Sequence, residues 1–118
     1  MIFNLATWNI NSIRLRVDLV CKLLKDEKID ILCLQECKSP VDKIPFESFS
    51  KFGFKHMVAR GQKGYNGVAI ISKSPLKEKS AIDFAGLGHA RHISAELENG
   101  IIIHNFYVPA GGDEPDRS

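Results

Sequence analysis

Residues 7–14 (TWNINSIR) and 34–38 (LQECK) are the two stretches that decide the fold of this chain. Each stretch comes at the end of an apolar run, residues 2–6 and 29–34 respectively, and such runs are typical of buried strands. The segment between the two strands has the periodicity of a helix. Strands that a helix joins lie parallel with a right-handed crossover, so their carboxyl ends meet at one edge of the sheet. The sequence therefore predicts a β-α-β unit whose polar side chains gather at that edge.

The predicted edge carries oxygen ligands. Asn9 and Asn11 supply amide oxygens and Glu36 supplies a carboxylate, which together suit Mg²⁺ or Mn²⁺. A carboxylate at the end of a buried strand also needs a cation nearby, because an unpaired buried charge is costly. Two structural alternatives stay open: the asparagines cap the following helix, or Glu36 pairs with Lys38 or an arginine. The pattern thus indicates a candidate metal site beside these simpler roles.

A helix is predicted from Asn11 or Ser12, either of which can cap it, to about Lys28. Its apolar residues recur at helical spacing and form one stripe: Ile13, Val17, Val20, Leu23 and Leu24. The turn before the helix contains no glycine, whereas a dinucleotide-binding unit needs a glycine-rich turn to admit a pyrophosphate. A dinucleotide-binding function is thereby excluded.

The remainder of the chain predicts one short helix and four further strands. The helix, residues 46–52, has phenylalanines at a spacing of three, and residues 76–89 show no clear pattern. Strands are predicted at residues 54–59, 68–71, 93–98 and 101–107. Asn99-Gly100 is a strong signal for the turn of a hairpin, and alternation places Ile93, Ala95 and Leu97 on one face.

Composition indicates an ordinary globular protein. The 118 residues are 44% hydrophobic and 25% charged, and the net charge of +2 only weakly favours an anionic partner. No apolar run approaches the ~20 residues of a membrane span, and no signal peptide is recognisable, so no membrane association is expected. The three cysteines (Cys21, Cys33 and Cys37) form no CxxC pair and fall mainly in apolar segments. We expect buried reduced thiols and a cytoplasmic location rather than disulfides or zinc.

Residues 60–67 (RGQKGYNG) form a basic loop with three glycines and one aromatic residue. Glycines admit a close backbone approach, and an aromatic ring can lie against a sugar or a base. The loop alone is a weak signal, because glycine-rich turns are common.

Four segments resemble the exonuclease III family of DNA-repair nucleases, a branch of the endonuclease/exonuclease/phosphatase superfamily: residues 7–14, 34–38, 64–73 (GYNGVAIISK) and 105–112 (NFYVPAGG). The resemblance implies an α/β fold, namely the N-terminal half of a four-layered sandwich in which two mixed sheets face each other between helices. Family members are much longer, and the match stops near their middle. We therefore expect residues 1–118 to form a partial domain without its C-terminal half.

The resemblance also implies an activity, Mg²⁺-dependent hydrolysis of DNA phosphodiesters at abasic sites and 3′ ends. The position that matches Glu36 coordinates the metal in the family, and Asn11, at a more variable position, is a second candidate ligand. Asn9 matches a catalytic residue that orients the metal-binding carboxylates and the phosphate. Tyr107 matches a catalytic tyrosine whose hydroxyl contacts the phosphate, although a half-buried tyrosine at a strand end is its simpler interpretation.

Six residues are candidate DNA contacts: Arg14, Lys38, Lys63, Tyr65, Asn66 and Arg91. Arg14 and Lys38 follow the predicted edge closely, so they suit phosphate contacts, with ordinary solvated charges as the alternative. The other four match DNA-contacting positions of the family, and a structural salt bridge is the alternative for Arg91.

Two motifs of the family do not occur in this sequence, a Gly-Asp-x-Asn run and an Asp-His pair. They carry the group that activates water and the catalytic histidine, so we expect the chain alone to be inactive. The alternatives are a non-catalytic half-domain that binds nucleic acid or protein, and a sibling phosphoesterase acting on phosphoinositides or other phosphoesters. Because residues 68–71 and 101–103 are apolar on successive positions, they need cover on both faces, and we expect a homodimer or association with a C-terminal half.

Overall fold

A computed structural model describes residues 3–62, 64, 66–81 and 90–108, and in this part of the chain two α-helices and seven strands are formed. Their order is β1 (Leu5–Asn9), α1 (Val17–Asp26), β2 (Ile31–Gln35), a 3₁₀ turn (Val41–Lys43), α2 (Phe46–Ser50), β3 (His56–Arg60), β4 (Val68–Ser72), β5 (Leu76–Ser80), β6 (His92–Leu97) and β7 (Ile102–Phe106).

The strands form two sheets that face each other. The first sheet has the order β1-β2-β4-β3, with β1 parallel to β2 and the other pairs antiparallel. The second sheet, β5-β6-β7, is antiparallel. The predicted β-α-β unit and the α/β class with two facing sheets are confirmed. The first sheet is mixed, as expected, whereas the described strands of the second are all antiparallel.

Two hydrophobic cores lie on opposite faces of the first sheet. Successive residues of a strand point to opposite faces, so β2 and β4 contribute alternate side chains to each core. Leu32, Leu34, Ala69 and Ile71 pack with the helices, and Ile31, Cys33, Val68 and Ile70 pack with Ile93, Ala95, Leu97 and Ile103 of the second sheet. Residues 68–71 are thus covered on both faces within this chain. The expectation of open apolar surface does not hold for this strand.

Open apolar surface is found along β1 and β7, which end their sheets in the described part of the chain. The expectation holds for the second segment, residues 101–103, because Ile101 and Ile102 are 45% and 47% exposed. Leu5, Ile102 and Phe106 are each almost half exposed. A groove of about 380 Å³ runs between β1, β2 and β7. Unpaired strand edges with apolar side chains are surfaces to which another polypeptide can add.

Two element boundaries near the start of the chain differ from the prediction. β1 begins at Leu5, three residues after the start of the apolar run, and it extends beyond that run because Thr7–Asn9 pair with β2. α1 begins at Val17 rather than near Asn11, since Asn11 (φ 48°) and Ser12 (φ 87°) are left-handed and cannot start a helix. The residue that precedes the helix, Arg16, makes no side-chain capping bond. The capping interpretation of the asparagines is therefore wrong.

Other expectations are confirmed. The apolar stripe of the first helix packs into the core, as do the three phenylalanines of residues 46–52. The hairpin turns at Gly100, whose N–H donates to Leu97 O at 2.9 Å, and its φ of 89° suits glycine. β5 was not predicted from the sequence, because it is an exposed edge strand rich in charge (LKEKS) without a buried face.

All three cysteines are free thiols. Burial raises the pKa of Cys33 to about 11 and that of Cys37 to about 12, so both are protonated at neutral pH. In the described residues, no helix combines the length and apolar character that crossing a membrane requires.

A histidine pair joins β6 to β7. His92 is fully buried, its Nε2 lies 3.0 Å from His104 Nδ1, and its ring packs on Phe106 with centroids 4.6 Å apart. One nitrogen must donate and the other must accept, so the accepting nitrogen carries no proton. Burial, His104 and Arg60, in that order, lower the pKa of His92 from its ordinary value.

This lowered pKa predicts a loss of stability in acid. The charged form of His92 is disfavoured in the folded state, so its contribution is fully present above about pH 6.5 and is lost as pH falls through the lowered pKa. Urea unfolding at about pH 7.5 and about pH 5 should show a smaller free energy of unfolding in acid. Replacing the exposed partner, His104→Asn, should reduce the acid effect, whereas His56→Asn, a histidine outside the pair, should not. An equal effect of both substitutions would count against the histidine pair.

Candidate active site

Five segments meet at one end of the two sheets and are joined by backbone hydrogen bonds. We call residues 10–13, 35–38, 66–67, 90–91 and 107 the site loops. The bonds form a continuous series: Ile10 N to Gln35 O (2.9 Å), Ser12 N to Glu36 O (2.8 Å), Ile13 N to Cys37 O (3.0 Å), Cys37 N to Gly67 O (3.0 Å), Lys38 N to Asn66 O (2.8 Å), Gly67 N to Ala90 O (2.8 Å) and Tyr107 N to Arg91 O (2.7 Å). The fold therefore brings most of the predicted site residues to one place, as the sequence implied for the first two segments.

The backbone of the site loops is strained. In the described part of the chain, every non-glycine residue with a positive φ lies in these loops. The φ values are between 48° and 87°, and the residues are Asn11, Ser12, Glu36, Lys38 and Asn66. Each left-handed residue costs roughly 1–2 kcal/mol. Strain that is concentrated in one place is typical of functional sites.

Glu36 follows β2 directly and is half-buried. It forms no ion pair with a described residue. Lys38, its expected partner in the structural alternative, instead donates from Nζ to Asn11 Oδ1 at 2.5 Å. The ion pair between Glu36 and Lys38, one of the alternatives that the sequence left open, is not formed in the structure.

The fit of these residues to a divalent cation is partial. Glu36 offers one carboxylate, and Asn9 is an exposed amide at the end of β1. The oxygen of Asn11 is already bonded to the Lys38 ammonium, so a cation would have to displace that bond. Among the described residues, no three His, Cys, Asp or Glu side chains cluster as a metal site. The chain can therefore hold part of a magnesium site, with other ligands coming from water or another segment.

The predicted DNA contacts differ in their surroundings. Arg14 is exposed and Lys38 is half-buried, while Lys63 and Tyr65 lie outside the described residues. Asn66 is only 5% exposed. Its Nδ2 donates to Gln62 Oε1 at 2.9 Å, and its Oδ1 accepts from Arg91 Nε at 3.3 Å.

Arg91 and Tyr107 lie side by side. The Arg91 guanidinium carbon is 6.0 Å from the centre of the half-buried Tyr107 ring, and the backbone bond between the two residues fixes their relative position. A cation over an aromatic face is attractive, so this arrangement holds the arginine beside the ring. A salt bridge of Arg91 is not found with any described acid.

One residue that sequence reasoning missed is Asn105, whose side chain forms hydrogen bonds between the two sheets. Its Nδ2 donates to Leu34 O at 3.0 Å and to Ala69 O at 2.8 Å, and it is 2% exposed. Its Oδ1 accepts from Gln35 Nε2 at 2.7 Å, and Gln35 also donates to Thr7 Oγ1 at 2.8 Å. The only signal in the sequence is an amide in a strand that is otherwise apolar apart from His104.

Two more missed residues, Gly61 and Gln62, lie in the basic loop. A Cβ on Gly61 would collide with Ser39 O and come within 2.7 Å of Val41 N, so the backbone at Gly61 is packed directly against residues 39–41. Gln62 Oε1 accepts from Asn66 Nδ2 and from Ala90 N at 2.6 Å. Glycine and glutamine are common in surface loops, which is why neither residue stands out in the sequence.

Comparison with known proteins agrees with this geometry. Residues 6–117 match the Endonuclease/Exonuclease/phosphatase family. The chain is 32% identical over 71 residues to exodeoxyribonuclease III of Haemophilus influenzae, covering 60% of this chain and 26% of that protein. It is similar in structure to an AP endonuclease from Archaeoglobus fulgidus (TM-score 0.81, 40% identity, 92% of this chain and 42% of that one). It is likewise similar to the 3′ phosphatase NExo (D146N) from Neisseria bound to a product DNA hairpin (TM-score 0.84, 36% identity, 97% and 45%).

The match covers this chain far more fully than it covers the relatives. The chain spans between 17% and 26% of the length of the curated relatives, and less than half of the two solved chains. The match over residues 6–117 points to this family, and the two-sheet architecture agrees with the similarity to the solved structures. The chain belongs to the endonuclease/exonuclease/phosphatase family, and its homologues include AP endonucleases and exodeoxyribonuclease III.

Proposed function

We propose that this chain is the N-terminal, metal- and DNA-binding half of an exonuclease III-type nuclease, which hydrolyses DNA phosphodiesters at abasic sites and 3′ ends with Mg²⁺ or Mn²⁺. The observation that carries the proposal is the series of backbone hydrogen bonds through the site loops. It places Glu36, Arg91 and Tyr107, which come from three separate segments, at one end of the two sheets. Three free thiols, of which Cys33 and Cys37 are buried, support the cytoplasmic location that we propose alongside.

In this proposal each residue acts through a simple interaction. Glu36 would hold the divalent cation, whose charge would stabilise the negative charge that builds on the phosphate. Asn9 would orient the phosphate from the end of β1, and the Tyr107 hydroxyl would donate a hydrogen bond to a phosphate oxygen. Arg91 would pair with a neighbouring phosphate, since a guanidinium binds two oxygens at once.

A second candidate function is a nucleic-acid-binding half-domain without catalysis. The partial metal site favours it, because the described residues supply one carboxylate at the site and no cluster of metal ligands. A phosphoesterase acting on other substrates would share the metal chemistry, and a screen of phosphate esters against abasic DNA distinguishes it from the nuclease.

We further propose that a polypeptide covers the open edges of β1 and β7. A second copy of the chain or a separate C-terminal half would each add strands to these edges and bury Leu5, Ile102 and Phe106. The support is the groove of about 380 Å³ between the two edges and the exposure of these apolar residues.

DNA binding by the chain should be mainly electrostatic. Each phosphate neutralised by an arginine or lysine releases counterions, so the affinity for an abasic-site duplex should fall steeply with salt. Arg91→Ala should weaken binding and reduce the salt slope by about one contact, and Lys63→Ala should do the same. Lys79→Ala, which removes a charge on β5, is the matched control and should change binding little. Binding that does not depend on salt would contradict the proposed DNA surface.

Metal binding should be weak but localised. A Mn²⁺ titration followed by nuclear magnetic resonance should first broaden the signals near Glu36 and Asn9, because these residues supply the oxygen ligands. Glu36→Gln keeps the size of the side chain but removes its charge, so it should abolish the local broadening. Equal early broadening around Glu78, an exposed acid on β5, would show that Mn²⁺ binds surface carboxylates indiscriminately.

A further inference from the structure

The Gln62 side chain ties two separate segments of the site together. Its Oε1 accepts hydrogen bonds from Asn66 Nδ2 at 2.9 Å and from the Ala90 N–H at 2.6 Å. The first bond joins Gln62 to Asn66, and the second joins Gln62 to the backbone two residues before β6. One carbonyl oxygen with two lone pairs can accept both bonds, so Gln62 is fully used as an acceptor.

These two bonds control the position of Arg91 by separate routes. Ala90 directly precedes Arg91, so the bond to the Ala90 N–H holds the backbone next to it. Asn66 presents its Oδ1 to Arg91 Nε at 3.3 Å. Because an amide group is planar, holding Asn66 Nδ2 also determines where its Oδ1 points.

The two terminal amino groups of Arg91 are suited to binding an anion. Among the described residues, its guanidinium contacts Asn66 through Nε and lies over the Tyr107 ring. Neither contact uses the two terminal amino groups, which form a planar fork of donors. Such a fork pairs well with two oxygens of one phosphate, and its orientation decides whether both bonds can form.

We propose that Gln62 is a positioning residue that orients Arg91 for a DNA phosphate. This inference rests on the proposed function, because the anion is a phosphate of the DNA backbone. Gln62 acts through Asn66 and Ala90 and carries no charge. Its whole contribution to DNA affinity therefore comes from the geometry that it imposes on Arg91.

The salt dependence of DNA binding tests this role. Gln62→Met removes the acceptor at similar length and should weaken binding about as much as Arg91→Ala does. It should also reduce the slope of log affinity against log salt by about one contact, although no charge is removed. Adding Gln62→Met to Arg91→Ala should then have no further effect. A loss of folded protein alone would lower the amount that binds but leave the slope unchanged.

Two controls accompany the binding experiment. Asn4→Ala removes an exposed amide at the opposite end of β1 and should leave affinity and slope unchanged. Gln62→Glu keeps an oxygen in the Oε1 position, so it should keep the hydrogen bonds that hold Asn66 and Ala90.

A measurement without DNA separates this inference from the proposed function. The Arg91 Nε–H signal, identified by its loss in Arg91→Ala, should move to the position of a solvent-exposed arginine in Gln62→Met. It should stay in place in Gln62→Glu. If the unaltered chain does not bind DNA, the proposed function fails while this measurement still tests the positioning. An unchanged Nε–H signal in Gln62→Met, or a wild-type salt slope in that variant, would overturn the inference.

Discussion

The purified 118-residue chain should leave an abasic-site duplex uncut in Mg²⁺, to the same extent as buffer. Metal binding supplies only part of phosphodiester cleavage, and the rest needs a group that activates water and a group that meets charge on the phosphate. The sequence contains no Gly-Asp-x-Asn run and no Asp-His pair to supply them. Loss of one catalytic group costs about 10²- to 10⁴-fold in rate, so the loss of several removes measurable activity.

Adding the C-terminal half of an exonuclease III-type protein as a separate chain should restore cleavage. The added half would supply the missing groups and cover the open edges of β1 and β7. Glu36→Ala should abolish the restored activity, whereas Glu78→Ala, on the exposed strand β5, should leave it intact. Sedimentation of the chain alone and of the mixture distinguishes a homodimer from a complex of two halves. Robust cleavage by the chain alone, lost on Glu36→Ala, would show that this account of the missing groups is wrong.

Gly61→Ala should destabilise the fold by about 3 kcal/mol or more, the upper range for overpacking a tight site. The added methyl group would meet Ser39 O, come within 2.7 Å of Val41 N and lie 2.9 Å from Pro40 C. These are backbone atoms, which cannot turn aside as a flexible side chain can. The backbone at Gly61 and residues 39–41 would have to separate, and a melting temperature lower by roughly 10–20 °C should result.

Gly64→Ala is the matched control for this substitution. Gly64 lies in the same loop with φ of 83°, and nothing lies within 4 Å of the position that a Cβ would take. Its replacement should cost only the roughly 1–2 kcal/mol of a left-handed alanine. Similar losses for the two variants, measured by thermal unfolding, would mean that the close approach at Gly61 can relax.

Much of this protein could be predicted from its sequence, because the relevant signals are local. The alternation of apolar residues identified the hairpin and its buried face, and helical spacing identified the stripe of α1. The polar stretches after β1 and β2 indicated a site at one sheet edge, and the site loops lie there. Resemblance over four segments indicated the family, which residues 6–117 confirm.

Tertiary structure decided the features that depend on distant partners. Asn11 and Ser12 are left-handed, so α1 begins at Val17 and not at either of them. Residues 10, 12 and 13 form backbone hydrogen bonds with residues 35–37, and no local sequence pattern reveals such bonds. The cover on β4 comes from a second sheet whose position depends on the whole chain. Sequence by itself determined which residues prefer strand, helix or turn and which residues are candidates for the chemistry of the site. Only the tertiary structure decided that Gln62 holds Asn66 beside Arg91 and that Lys38 bonds to Asn11, because hydrogen bonds between distant segments form only after packing has brought them together.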